Sequence, residues 1–300
     1  MEAGGTRLIR YSNQDAEIDL WYLADIHYTN RGCMVPRLER DINAIKKDPY
    51  ALWSLGGDYC DWITPKDPRF DPECVDEEMK VKDLAIYGAL VTAKLVDLFL
   101  PIKDRCVGAG YGNHDLRYYT DHQAKFLHDQ ICDHLKVPNL RYSAVTVLYF
   151  ERKRGLSGLM EYIKKPRPNQ VNLPGQRRLV VYQHHGSGAA ATAGGKINSL
   201  KRAVDSVDAD LVMVGHLHEQ LAKVFVRLTT NAYGTEINAK NCVAMMTGSY
   251  LRGNPSGCTQ YSEVRGYPPT TIGATKARYR PGDGRLTVEN AAEGVGVICG

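Results

Sequence analysis

Short apolar runs recur along this chain, and five of them stop at residues of the kind that bind metals or carry protons. Residues 17–24 contain Ile18, Leu20, Trp21, Tyr22 and Leu23, and residues 50–55 contain Ala51, Leu52, Trp53 and Leu55. Further runs cover 105–109, 179–182 and 210–214. Their length and their β-branched and aromatic content predict buried strands. Between the first two, Leu38, Ile42 and Ile45 fall on one face of 37–47 behind Pro36, which predicts a helix. Strand, helix, strand is a βαβ unit, so these two strands should run parallel and end at one sheet edge. Helical spacing also covers 79–100, 119–135 and 196–207, and alternation over 141–151 predicts another strand. From about 220 onward the pattern is β, with strands expected at 222–230, 241–247, 276–279 and 285–289 and a Pro-Gly-Asp-Gly turn at 281–284. The fold class is α/β.

The residues that follow these strands are the informative ones. Asp25 and His27 follow the first, Asp58 and Asp61 the second, Asn113, His114 and Asp115 the third, His184 and His185 the fourth, and His216 and His218 the fifth. Alternation at a strand end points Asp25 and His27 the same way, so one metal could take a carboxylate oxygen and an imidazole nitrogen from one support. An Asn-His-Asp run on a glycine-flanked loop suits an amide oxygen on a metal and an imidazole kept for acid-base work, with Asp115 able to orient that ring. Arg117 is either an anion contact or a surface arginine. One of His184 and His185 should be a ligand, and His184 is preferred. His216 and His218 either converge on one ion or splay to reach two. His122, His128 and His134 lie six residues apart, share no helical face, and read as bystanders.

Counted together, the strand ends offer nitrogen and oxygen donors and no thiolate. That set suits Mn, Fe, Zn, Co or Ni, with Mn²⁺ expected first. It is too large for a single ion with open positions, so two divalent metals sharing Asp58 are expected. Two ions about 3.5–4 Å apart clamp the attacking and leaving oxygens of an in-line displacement and lower the pKa of a bound water, which predicts hydrolysis of a phosphate ester.

Composition narrows the picture a little. A net charge of +4 and 24% charged residues in 300 residues are ordinary, and eight cysteines contain no Cys-x-x-Cys pair, so free thiols in a reducing compartment are expected. No apolar run long enough to span a bilayer is read in the sequence, and a cytoplasmic protein with no membrane partner is expected. The basic, Gly- and Pro-rich segment 152–178 reads as an insert, a hairpin or a lid, whose cations could meet an anionic substrate, although a solvated loop is the preferred reading.

Taken in order, Asp25-x-His27, Gly57-Asp58-x-x-Asp61, Gly112-Asn113-His114-Asp115, His184 and Gly215-His216-x-His218 resemble the five signature blocks of the calcineurin-like metallophosphoesterases. The resemblance implies an αββα fold, a β-sandwich flanked by helices, in a single domain over 1–300 with inserts at about 62–104 and 152–178. It implies that Asp25, His27 and His218 hold a first metal, that Asn113, His184 and His216 hold a second, and that Asp58 bridges them. His114 would then protonate the leaving oxygen with Asp115 behind it, Asp61 would fix its loop by a hydrogen bond, and Arg117 and His185 would contact substrate. The fourth block carries two histidines before a glycine where many members have a proline nearby, which leaves His184 and His185 open. The glycine-rich loop after His185, with Gly248-Ser249-Tyr250 and Tyr261-x-Glu263-x-x-Gly266-Tyr267, resembles the phage or prophage branch, which would place the protein in a bacterial or phage-infected cytoplasm. The expected activity is a phosphodiesterase or nuclease acting on nucleic acid or nucleotides. A phosphomonoesterase is the alternative, although the Asp58 loop lacks the Asp-Arg-Gly of protein phosphatases, and a metal-free scaffold ranks third.

Overall fold

The computed structural model describes residues 1–65, 67, 70–122 and 127–290. In chain order the first half carries β1 (Glu2–Tyr11), β2 (Ile18–Leu23), α1 (Val35–Lys47), β3 (Ala51–Leu55), α2 (Tyr87–Phe99), β4 (Cys106–Gly110), α3 (Asn113–His122) and α4 (Leu127–Leu135). The second half carries β5 (Asn139–Arg141), β6 (Ser143–Arg152), β7 (Met160–Ile163), β8 (Arg177–His184), α5 (Ala193–Ser206), β9 (Leu211–Val214), β10 (Leu221–Thr230), β11 (Ile237–Met246), β12 (Thr275–Arg280) and β13 (Arg285–Asn290). The helix predicted over 119–135 is described as α3 and α4 on either side of 123–126.

The strands form two sheets, ordered β13-β12-β2-β3-β4-β5 and β10-β11-β9-β8-β6-β1-β7. Strand alternation explains how they stack. Ile18, Leu20 and Tyr22 of β2 pack with Leu148, Phe150, Leu179, Val181 and Met213 in a core between the sheets, whereas Trp21 and Leu23 turn to the other side and join residues of α1, α2 and α4. On the second sheet Leu179 and Val181 face inward while Val180 and Tyr182 meet Leu200 and Val204 of α5. The result is four layers: helices, sheet, sheet, helix. Each fully buried side chain of this kind is worth about 1.5–3 kcal/mol. Trp53, stacked on Phe99 and donating Nε1–H to the Ile102 carbonyl at 2.7 Å, heads the fully buried side chains by volume among the described residues, and its loss would open a large hole in the core beneath β3.

Three features position the site. β2, β3 and β4 are parallel neighbours, as are β8 and β9, and α1 and α5 make the crossovers that parallel pairing needs. Their C-terminal ends meet where the two sheets are tied together, with Gln183 donating to the Leu55 carbonyl at 2.7 Å and accepting from the Ser54 hydroxyl. The 152–178 insert is neither a free hairpin nor a lid: its β7 pairs antiparallel with β1 at the far edge of the second sheet. Sequence patterning missed β1, whose two glycines and scattered charges hide its pairing with β6.

Among the described residues one helical run, Val81–Arg105, is long and apolar enough by length and composition to cross a membrane. It lies against the first sheet, with Tyr87, Val91, Leu95 and Phe99 in the core.

Candidate metal centre

Each of the five strands named above runs out into a loop that turns its ligand-type residues toward one place. The loops after β2, β3 and β9 do so by backbone conformation rather than by strand alternation. β2 ends at Leu23, and Asp25 (φ 54°) and His27 (φ 51°) are left-handed, as are Asp58 (φ 50°), His216 (φ 70°) and His218 (φ 52°). The convergence of Asp25 and His27 expected from a period of two is therefore reached by another route. Left-handed non-glycine residues cost ~1–3 kcal/mol each and persist where surrounding structure fixes them, which is a common feature of functional sites. Here the fixing is visible: His27 N and Ile26 N donate to the Asp58 carbonyl at 3.1 and 2.8 Å, and His216 N donates to Asp25 Oδ2 at 2.8 Å.

Asp25, His27 and His218 form one group of converging donor atoms. His27 Nδ1 is hydrogen-bonded to Asp61 Oδ1, which turns Nε2 inward to stand 3.4 Å from His218 Nε2. Asp25 Oδ1 stands 3.4 Å from the same His218 nitrogen, is fully buried, and has no hydrogen-bond partner. A buried carboxylate oxygen without a partner is costly. Burial opposes charge on His27, yet Asp61, Asp58 and Asp25 outweigh it and hold that ring up at about 9.

Asp58, His185 and His216 form a second group that shares no residue with the first. His185 Nε2 lies 3.1 Å from both Asp58 Oδ2 and Asn113 Oδ1, while its Nδ1 is 2.9 Å from the Gly56 carbonyl. His216 Nε2 donates to the Gly188 carbonyl at 2.8 Å, which leaves the lone pair of the neutral ring on Nδ1. Burial lowers His216, whereas for His185 burial is outweighed by Asp58 and Asp25 and the ring is held up at about 10. The carboxyl of Asp58 is well below its ordinary range because His185, His114 and His27 overcome its burial. The centre thus holds buried carboxylates whose field draws protons onto neighbouring imidazoles, a field that cations could satisfy instead.

His184, the preferred ligand on sequence, is not in either group. Its Nδ1 accepts the Gly186 N–H at 2.8 Å, and burial together with His185 and His216 pushes it down to about 4. The reason is strand parity. β8 continues through His184, so this residue shares the α5 side with Val180 and Tyr182, while His185 follows Leu179, Val181 and Gln183 on the face toward the other sheet. Nor does His185 reach outward as a substrate contact, since it is buried among ligand-type residues.

His114 lies beside the first group, its ring 5.1 Å from that of His27. Asp115 does not orient it. His114 Nδ1 is 2.9 Å from the Asp61 carbonyl, and the carboxylate of Asp115 instead accepts the N–H groups of Asp58 and Gly112 and the Trp62 indole N–H, at 2.7, 2.7 and 2.6 Å. Burial and the charge of Asp58 hold Asp115 up at about 6. Gly112 has to be glycine, because a Cβ there would collide with the Asp58 carboxylate.

No family model matches the chain. No curated protein matches it either. Among solved structures it is similar to a conserved uncharacterised protein of Streptococcus pneumoniae described as a predicted phosphoesterase, with 11% identity, 95% of this chain and 98% of that chain covered, and a TM-score of 0.38. It is also similar to wild-type Vps29 complexed with zinc from Entamoeba histolytica (10% identity, 94% and 97% covered, TM-score 0.39) and to vacuolar protein sorting 29 from Cryptosporidium parvum (12% identity, 94% and 96% covered, TM-score 0.40). At these levels the chemistry has to be read from this chain's own side chains.

Both groups open into a cavity of about 540 Å³ whose lining includes His27, Asp58, Asn113, His114, His216 and His218. Arg117 lines it, with its guanidinium 3.6 Å from Asp67. The basic insert 152–178 contributes nothing to that lining. Other lining comes from Lys196 of α5, paired with Glu219 at 2.5 Å, and from a stretch between β11 and β12 that includes Leu251, Gln260 and Tyr267, of which the sequence reading named only Tyr267, in a motif given no role at the site. The motif Gly248-Ser249-Tyr250 marked the start of that stretch without revealing where it goes. His128 is a bystander in the sense expected, a buried neutral histidine bonded to Tyr59 Oη and Asn139 Oδ1 at 2.8 and 2.9 Å.

Proposed function

We propose that this chain is a phosphoesterase that works with two divalent metal ions. The observation that carries the reading is the buried, unpartnered Asp25 Oδ1, facing a ring nitrogen of His218 that itself faces one of His27. A buried carboxylate oxygen with no hydrogen-bond partner, brought together with two ring nitrogens, fits a cation. The second group fits another, with Asp58 and Asn113 as oxygen donors and His185 and His216 as nitrogen donors. In this reading Asp25, His27 and His218 hold the first ion, Asn113, His185 and His216 the second, and Asp58 is shared. The donor set suits Mn²⁺ first, with Fe, Zn, Co or Ni sharing its preferences.

Ions bound there would neutralise charge on the phosphoryl oxygens and make a water nucleophilic near neutral pH. The remaining chemistry belongs to side chains. His114, held through Nδ1 by the Asp61 carbonyl, has Nε2 as the atom that gives a proton to the leaving oxygen. Asp61 fixes the tautomer of His27, and Asp115 locks the Asp58 and Asn113 loops together.

The cavity falls within the range of about 300–1,000 Å³ that takes a drug-sized ligand, so the organic part of the ester, and not phosphate alone, would fill it. Its walls combine Arg117 and Lys196 with Phe70, Tyr87 and Tyr267. This favours a phosphodiester with an aromatic, nucleotide-like group. The test is hydrolysis of bis-p-nitrophenyl phosphate against p-nitrophenyl phosphate, with Mn²⁺ and with chelator, for the wild type and His114→Ala. Metal-dependent cleavage of the diester is expected. Preference for the monoester would make the protein a phosphomonoesterase, and absence of bound metal would leave it a scaffold.

A further inference from the structure

The side chain that orients His27 does not act alone. Asp61 uses Oδ1 for His27 Nδ1, and its other oxygen accepts from Asn30 Nδ2. Asn30 in turn forms a reciprocal amide pair with Gln260: Gln260 Nε2 donates to Asn30 Oδ1 at 2.7 Å, and Asn30 Nδ2 donates to Gln260 Oε1 at 3.3 Å. The second lone pair of Asn30 Oδ1 takes the Gly32 N–H at 2.7 Å. The hydrogen-bonding capacity of the Asn30 amide is thereby used in full. Both amides are buried, each 6% exposed, and they come from positions 230 residues apart.

Gln260 belongs to the segment between β11 and β12 that lines the cavity, and the same segment grips the Asp25 loop at a second point. The Asp25 carbonyl accepts the Ser249 hydroxyl at 2.8 Å and the Tyr250 N–H at 2.9 Å. Met34 N donates to the Tyr250 carbonyl at 2.7 Å, and Arg252 N to the Gly32 carbonyl at 2.9 Å. The wall of the cavity is therefore also the outer support of the first donor group.

We infer that Asn30 and Gln260 are positioning residues that couple the cavity-lining segment 249–270 to the His27 side of the metal centre. The inference rests on the two-metal reading above. Outer partners of a metal-binding histidine typically matter by about 10–100-fold in metal affinity. By reciprocity, if the segment helps His27 to hold an ion, the ion helps the segment to hold its place, by the same factor. The first ion would then shape the substrate cavity as well as act on the substrate.

The test uses the full chain stripped of metal. Mn²⁺ is titrated into the wild type, Gln260→Leu, Gln260→Glu and Ser262→Ala, with free Mn²⁺ followed by electron paramagnetic resonance. Amide hydrogen exchange over 249–270 is measured with and without Mn²⁺. Ser262, whose hydroxyl bonds the Gly253 carbonyl at 3.1 Å, perturbs the same segment outside the relay. The wild type should bind two ions and show Mn²⁺-dependent protection of 249–270. Gln260→Leu should bind one of the two about tenfold more weakly and lose that protection, Gln260→Glu should fall between because it keeps an acceptor for Asn30, and Ser262→Ala should match the wild type. Two ions bound with wild-type affinity by both Gln260 variants would overturn the relay and leave the two-metal reading standing. Equal weakening in Ser262→Ala would also overturn it, as would exchange insensitive to Mn²⁺. A wild type that binds no Mn²⁺ would remove both.

Discussion

One carboxylate oxygen of Asp115 accepts two backbone N–H groups from different loops, those of Asp58 and Gly112, each at 2.7 Å. This bond pair joins the loop after β3 to the loop after β4, so Asp58 and Asn113 are set relative to each other before any ion arrives. Asp115→Ala would leave those donors and the Trp62 indole N–H buried without partners. The expected cost is on the order of 3 kcal/mol, taken from about 1–3 kcal/mol per unsatisfied group with partial relaxation. Urea unfolding of the metal-free protein checks it. If Asp115 served the His114 ring instead, stability would be nearly unchanged and only turnover would fall.

The two histidines after β8 should behave oppositely. His185→Ala is expected to remove one of two bound Mn²⁺ ions, whereas His184→Ala should keep both, with affinities within about twofold. Metal analysis after gel filtration distinguishes them. Loss of an ion in His184→Ala would restore the assignment preferred on sequence.

Metal binding should release protons. In the metal-free protein His27 and His185 are held at about 9 and about 10, so both rings are protonated at pH 7, and each must lose its proton to become a ligand. Mn²⁺ affinity should accordingly rise with pH from 7 toward 9. Calorimetric titrations in buffers of different ionisation enthalpy would count the protons, with one to two expected at pH 7. The sign for folding is the reverse. A raised histidine pKa stabilises the metal-free fold fully below about 6.5, the ordinary histidine value, and this contribution fades as pH climbs through 9 to 10.

His114→Ala should slow turnover by about 10²-fold or more with both ions still bound, because the ring lies beside the donor groups and bonds the Asp61 carbonyl. Asp58→Asn should instead lose metal together with activity. Kinetics paired with metal content separate the two, and full activity in either variant would refute its assigned role.

The strand ends were legible because a buried strand is a short apolar run, and a run that stops at Asp, Asn or His has few structural reasons to do so. Patterning located β2, β3, β4, β8 and β9 to within a few residues, and with them each donor loop. It did not locate β1, which pairs through its backbone and needs no apolar run to do so. Parity along β8 held the answer to His184 against His185, but only once the strand was known to continue past Tyr182. Asp115 was misread because most of its partners are main-chain N–H groups, which leave no mark on residue identity. Gln260 was invisible for a related reason: a neutral amide in a loop reads as polar surface until its partner is known to be Asn30.

The donor groups draw on both sheets, and this dictates when they can exist. His27 and His218 are 191 residues apart, and Asn30 and Gln260 are 230 apart. A ribosome emits the chain from one end, so Asp25 and His27 emerge long before the histidine that completes their group. No fragment ending before His218 contains a whole centre, and none ending before Gln260 contains its outer brace. On the two-metal reading, this centre can hold its ions only after synthesis has passed His218 and the two sheets have come together.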